Sequence, residues 1–220
     1  MADQGAAGKV PSLTDQAYRQ LEEMIVTLQL EPGSVLSEAV LAAQLGIGRT
    51  PIREALHRFA REGLVVILPR RGILVSEINV RSQLRLLEVR REVERLMARS
   101  AASRATDAER AEFHAIATGM IEAAEKDDDV SFMRFDLHFN QLLAQACRNE
   151  YAVKVIGLMA GLVRRFWFMH HKQVADMPLA AKRHADVAMA IAQGDGDAAA
   201  AASDRLVDYA ENYTRASIDS

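Results

Sequence analysis

The chain has 220 residues, enough for one or two domains, and half of it is apolar, enough for a real buried core. Its formal net charge is −3, and basic and acidic groups nearly balance on either side of residue 78, so bulk charge alone does not mark a polyanion binder. One cysteine, Cys147, excludes an intrachain disulfide, no apolar run is long enough to span a membrane, and residues 1–11 lack the apolar core of a secretory signal; a cytoplasmic protein is expected.

Residues 1–11 are small and polar and are expected to form a flexible tail. A first helix is predicted over Leu13–Leu30, burying Ala17, Leu21, Met24, Ile25 and Leu28, with Glu31-Pro-Gly33 breaking it. Ser37 then caps a short helix whose apolar face is Val40, Leu41 and Leu45, and Gly46 ends it. Arg49-Thr50-Pro51 opens another helix, since proline in a first turn breaks no internal hydrogen bond. Ile52, Ala55, Leu56, Phe59 and Ala60 form one buried stripe. Arg49 and Arg53, four apart, lie off that stripe on an exposed face at the helix N-terminus. Two helices, a tight turn and arginines at the start of the second helix form the arrangement that reads DNA in the major groove; the plain alternative is a helical hairpin with solvated arginines.

The continuation weighs against that alternative. Gly63 ends the helix. Leu64–Leu68 and Ile73–Ser76 are predicted strands joined by Pro69-Arg-Arg-Gly72. Such a hairpin is a wing that can place Arg70 and Arg71 against DNA, with Gly72 permitting close backbone approach. Arg49, Arg53, Arg58, Arg61, Arg70 and Arg71, opposed only by Glu54 and Glu62, give a local surplus of four positive charges.

Glu31-Pro-Gly-Ser-Val-Leu36, Leu41-Ala42, Leu45-Gly46, Arg49-Thr-Pro-Ile-Arg-Glu-Ala-Leu56, Glu62-Gly-Leu64 and Arg70-Arg-Gly72 together resemble the winged-helix signature of GntR-family bacterial transcription regulators, over about residues 13–77. The resemblance implies DNA contacts by Arg49, Thr50, Arg53, Arg70, Arg71 and Gly72. Gly48 departs from it, because the family usually places a hydroxyl residue there.

From Asn79 onward the strand signals stop. Helices are predicted over Arg81–Arg104, from a Thr106/Glu109 capping box to Lys126, over Val130–Cys147, Tyr151–His171, Leu179–Gln193 and Asp197–Ala216, an all-α bundle of six. This half, about 80–215, resembles the FCD ligand-sensing domain of the FadR-type branch through Glu88-Val-Arg90 with Glu94, Asp136 with Phe139, Asn149, His184, and Ala190-Ile191 followed by Gly194-Asp195.

Such domains typically enclose a divalent metal with Asp-x3-His and two later histidines. Here Asp136 and Asn140 take the first pair and His184 the next place, while Leu206 falls where the last histidine belongs; His138 points to another face. A metal, if held, would rest on Asp136, Asn140 and His184. The other reading is an effector pocket of Arg90, Asp136, Asn140 and His184 taking a small carboxylate, and that reading is preferred because zinc-like sites want three or four good donors. Arg90 either reaches this pocket or pairs with Glu94, its i+4 neighbour. Trp167 and Phe168 are expected to pack rather than to cage a ligand, and Tyr209 with Tyr213 to serve core or interface.

No nucleophile-and-base set, phosphate loop or cysteine cluster is present, so no enzyme is expected. The expectation is a mainly α chain: tail 1–11, winged helix-turn-helix 12–78, and an all-helical sensing and dimerisation domain 79–220. It would act as a homodimeric, effector-controlled transcription repressor on an operator duplex. The alternative is a helical interaction protein whose winged helix binds protein.

Overall fold

The computed structural model describes residues 12–70, 72–174 and 176–217. The expected tail and Arg71 lie outside the described residues. Nine helices and three short strands occur among the described residues, and none of those helices is long and apolar enough to cross a membrane. The chain divides into two compact units. The first takes the described residues up to Ile78 together with Gly161–Met169; the second takes Asn79–Ala160 and the described residues from His170.

In the first unit, α1 (Leu13–Val26) starts at a capping box between Ser12 and Asp15. It stops four residues short of the predicted end. Leu28 turns left-handed (φ 61°), and the Leu30 N–H reaches back to the Met24 carbonyl, so that Leu30 folds against the core. β1 (Val35–Leu36) follows, then α2 (Glu38–Leu45) from the Ser37 cap to Gly46 at φ 64°. Leu41 is buried, but Val40 is 63% exposed, a correction to the expected face: α2 is short, and position 40 is one step of about 100° from the buried line.

α3 (Arg49–Arg61) buries Ile52, Ala55, Leu56 and Phe59 completely. It closes with Leu64 N–H to Phe59 carbonyl and Gly63 N–H to Ala60 carbonyl, a Schellman ending that needs the positive φ of Gly63. β2 (Val65–Leu68) and β3 (Gly72–Val75) form the hairpin, and β1 adds to the free edge of β3, giving the antiparallel order β1-β3-β2. Val35 faces Leu74, and Leu68 faces Gly72.

The same unit includes part of α7 (Glu150–Val174), which the sequence placed wholly in the second half. Arg165 is buried and donates to the Ser76 carbonyl (2.9 Å), the Ser76 Oγ (2.9 Å) and the Glu77 carbonyl (3.5 Å), while its Nε has no partner. Burial pulls its pKa down to about 10. Phe166 is buried beside it, whereas Phe168 is 37% exposed, so the packing expected of Phe168 falls largely to Phe166. Gly161 allows a close approach: a Cβ there would meet Leu64 Cδ1 at 2.6 Å.

The second unit contains α4 (Val80–Arg104), α5 (Asp107–Glu125), α6 (Asp129–Ala146), the flanking parts of α7, α8 (Met177–Gln193) and α9 (Gly196–Ala216). Side-chain caps at Asn79, Thr106, Asp128, Asp176 and Asp195 start α4, α5, α6, α8 and α9. Small residues let these helices approach closely. Ala98, Ala101 and Ala102 on α4, Ala181 and Ala188 on α8, and Ala199 and Ala202 on α9 are buried in one core with Phe113, Met120 and Phe139. The α4–α9 seam is laced at its edge by Arg91 to Asp208 (2.6 Å), Arg95 to Asp204 (2.8 Å) and Arg99 to Asp197 (2.9 Å). Cys147 is fully buried in this core.

Candidate DNA interface and bundle site

Arg49 and Thr50 are the first two residues of α3, and both are exposed. The cap residue Gly48 gives no side-chain hydrogen bond, and Pro51 has no N–H, so the Arg49 and Thr50 amides open the helix beside the Arg49 guanidinium. Arg53, one turn on, is 57% exposed but not free. Its Nε donates to Glu38 Oε1 (3.0 Å) and Oε2 (3.1 Å), and its Nη2 donates to Oε2 (2.8 Å). Glu38 is the first residue of α2, fifteen positions away, and the sequence pattern gives no sign of it.

At the wing, Arg70 is exposed in a left-handed conformation (φ 62°), and Gly72 follows at φ 104°, a backbone setting that disfavours any Cβ. Arg58, counted in the local surplus, is committed elsewhere. It lies 3.7 Å over the Tyr18 ring and donates to Glu62 (2.9 Å), while Tyr18 OH donates to the same carboxylate and its ring stacks on Phe59. Glu62 was already set against Arg58 in the sequence sum; Glu38, bound to Arg53, is a further acidic group and lowers the surplus from four to three, with Arg49, Arg61 and Arg70 exposed.

In the second unit, α6 presents Asp136 and Asn140, α8 presents His184, and α4 presents Arg90 and Glu94. His184 Nε2 lies 3.0 Å from Asp136 Oδ1, and Nδ1 lies 2.8 Å from the Ala180 carbonyl. Phe132 and Phe139 stand edge-on to the imidazole at 5.9 Å. Both ring nitrogens face acceptors, so the doubly protonated imidazolium fits best. Burial opposes its charge, but the hydrogen bond and charge of Asp136 prevail and raise the His184 pKa. Burial likewise opposes the Asp136 charge. The His184 hydrogen bond and charge, with help from Arg90 and Asn140, outweigh it and hold Asp136 below the usual aspartate value.

Arg90 makes the i+4 pair: its Nε donates to Glu94 Oε1 at 2.6 Å. The Asn140 amide nitrogen donates to the Asp136 carbonyl (2.8 Å) and Oδ1 (3.2 Å). The side chains of Arg90, Glu94, Asp136 and His184 keep 15–30% accessibility and Asn140 is exposed, so the cluster is open to solvent.

These donors do not fit a transition-metal ion. Asp136 and His184 are the two strong donors, Asn140 is neutral and turns its amide nitrogen to Asp136, and Leu206 packs on the apolar core. His138 pairs with Glu112 instead. Among the described residues no group of three His, Cys, Asp or Glu side chains is placed to hold a metal. Tyr209 and Tyr213 line a separate groove of about 310 Å³ between α8 and α9, with Tyr209 OH donating to the Asp176 carbonyl (3.2 Å).

Two family descriptions match the chain: "Bacterial regulatory proteins, gntR family" over residues 13–75 and "FCD domain" over residues 85–209. The HTH-type transcriptional repressor RspR of Escherichia coli K12 is 30% identical over 186 residues, spanning 84% of this chain and 82% of its own. The HTH-type transcriptional regulator YdfH of Escherichia coli O6:H1 is 30% identical over 188 residues, 86% of this chain and 82% of its own. Among solved structures, E. coli McbR/YncC superposes with a TM-score of 0.75 at 19% identity, covering 95% of this chain and 100% of that one. The likeness to McbR/YncC concerns the fold.

Proposed function

We propose, from the premise that this chain belongs to the GntR family of bacterial transcription regulators and carries an FCD domain, that it is a repressor whose hold on operator DNA is set by a small carboxylate bound in the helical unit. The observation that carries the DNA half is α3: its exposed start combines Arg49, Thr50 and Arg53 with unfilled amides, on a helix whose opposite face is fully buried. Arg70 and Gly72 at the wing tip add the second contact, and Arg71, between them in the sequence, is a further candidate for it. Residues 12–78 are the DNA-binding domain in this reading. The name of RspR supports the repressor sign.

Residues 79–220 sense and dimerise. Two copies give two half-sites, and the second half-site multiplies affinity. The effector site is Arg90, Asp136, Asn140 and His184. A ligand carboxylate exchanges with Glu94 for the Arg90 guanidinium, beside the paired Asp136, Asn140 and His184. The ligand then favours one dimer geometry and so shifts operator affinity.

The test uses the full chain. Arg53→Ala is expected to weaken binding to a duplex selected from a random-sequence pool by about 1–3 kcal/mol at matched salt. Light scattering is expected to give about twice 24.3 kDa. A panel of small carboxylates is then screened by thermal shift, and the active one is expected to act on the wild type but not on Arg90→Ala, which keeps its DNA affinity. An Arg53→Ala chain that binds like the wild type rejects the recognition-helix assignment.

A further inference from the structure

We infer that Glu38 is a positioning residue for DNA readout: by holding one edge of the Arg53 guanidinium, it leaves the opposite edge fixed for a guanine. The inference rests on α3 being the recognition helix. Arginine has five N–H donors in a planar fork. Glu38 occupies the Nε donor and one Nη2 donor, at 3.0, 3.1 and 2.8 Å. Both Nη1 donors and the second Nη2 donor remain. One Nη1 donor and the remaining Nη2 donor form the outer edge of the plane, two parallel N–H groups of the kind that O6 and N7 of guanine accept in the major groove.

Two physical effects follow from the same fork. An unpaired arginine carries rotamer entropy that docking must remove. Glu38 removes part of it beforehand, because its own anchor is rigid: it is the first residue of α2, directly after the Ser37 cap. The carboxylate also cancels the charge of Arg53. A neutral pair has little attraction for phosphates at large, so Arg53 gains chiefly where a base offers matched acceptors. Among the described residues no carboxylate forks Arg49, which keeps its charge for the backbone. The two arginines of α3 thereby divide the work: Arg49 positions and Arg53 discriminates. The ionised state of Glu38 is secure, since the Arg53 hydrogen bonds hold its carboxyl below the usual range, with the charges of Arg53, His57 and Arg49 adding to the effect.

The experiment compares wild type, Glu38→Gln, Glu38→Asp and Arg53→Ala as full chains. Each is titrated across a NaCl series with two duplexes of equal length, one selected by the wild type from a random pool and one scrambled. Melting curves verify that each variant folds. For Glu38→Gln, the scrambled duplex is expected to bind more tightly, with a salt slope steeper by about 0.9 per subunit, because Arg53 now finds a phosphate. The ratio of scrambled to selected dissociation constants is expected to fall about tenfold, the scale of one bidentate base contact. Glu38→Asp keeps the charge but cannot reach to make the fork, so it is expected to lose discrimination without steepening the slope.

Equal tightening on both duplexes would show Glu38 to be a mere competitor for Arg53 and would overturn the inference. So would unchanged discrimination in both Glu38 variants while Arg53→Ala loses it. If Arg53→Ala itself binds the selected duplex as the wild type does, the recognition-helix reading fails, and the Glu38 inference falls with it through a different measurement.

Discussion

Arg165 offers the sharpest test of how α7 contributes to the first unit. Burial draws its pKa well below the ordinary guanidinium value, to about 10, so burying the charge costs about 3 kcal/mol at 1.36 kcal/mol per unit. Against this stand the hydrogen bonds to Ser76 and Glu77, about 1.5 kcal/mol or more each for a charged donor, less the unpartnered Nε. The polar end is therefore close to break-even, and the stem provides the net stabilisation. Arg165→Met keeps an apolar stem and is expected to fall within about 1 kcal/mol of the wild type. Arg165→Ala gives up the same polar end, and in addition removes two methylenes at about 0.8 kcal/mol each and leaves a void, for about 3 kcal/mol in all. The assay is built in. Trp167 is the only tryptophan and sits two residues from Arg165 within the same segment, so urea unfolding followed by its fluorescence reports this part of the fold. Equal losses in the two variants would refute the reasoning and assign the stabilisation to the guanidinium bonds. No change in either would refute the packing of this segment altogether.

The Asp136–His184 pair makes stability depend on pH in a definite sense. The raised His184 pKa contributes below the ordinary histidine value of 6.5 and is lost as pH rises through the folded value; the lowered Asp136 pKa contributes above the ordinary 3.8 and is lost as pH falls through its folded value. The melting advantage of the wild type over His184→Gln should therefore be greatest between those two ordinary values and shrink on either side; an advantage that keeps growing toward alkaline pH would contradict the charged pair. Elemental analysis of full-length protein after exposure to zinc, nickel and manganese and then dialysis should find well under one equivalent per chain. One tightly held equivalent, lost in His184→Ala, would restore a metal site.

Local chemistry made much of this architecture legible. Ser37, Gly46, Pro51 and Gly63 mark the ends of α2 and α3 because caps and left-handed turns act over a few residues, and the Thr106 capping box did the same for α5. β1 escaped notice because two residues show no alternation, and it exists only through pairing with β3. The wing arginines and α3 arginines could be placed, but their partners could not. Glu38 meets Arg53 only after α2 crosses α3, and no pattern of period 3.6 announces a pair fifteen apart. Arg165 with Ser76 is hidden for the same reason at a separation of 89. The Arg90–Glu94 pair, by contrast, was visible from its i+4 spacing, beside the pocket role that the family resemblance implied for Arg90, and the pair forms. Asp136 and His184 came together as the family resemblance implied, whereas the commitment of both imidazole nitrogens emerges only once α6 and α8 are packed.

Cys147 gives the helical unit its own clock. The thiol is the only one in the chain, has no exposed surface, and points its Sγ at the Ala144 carbonyl. A thiol reagent can reach it only when the bundle opens, so the labelling rate measures that opening under native conditions, with no added probe. Any molecule that binds the closed bundle must slow the reaction by the factor 1 + [L]/Kd, whatever its chemical class. A bound effector would thus declare itself as a delay, one candidate compound at a time, with no operator DNA in the tube and wherever in the bundle it sits.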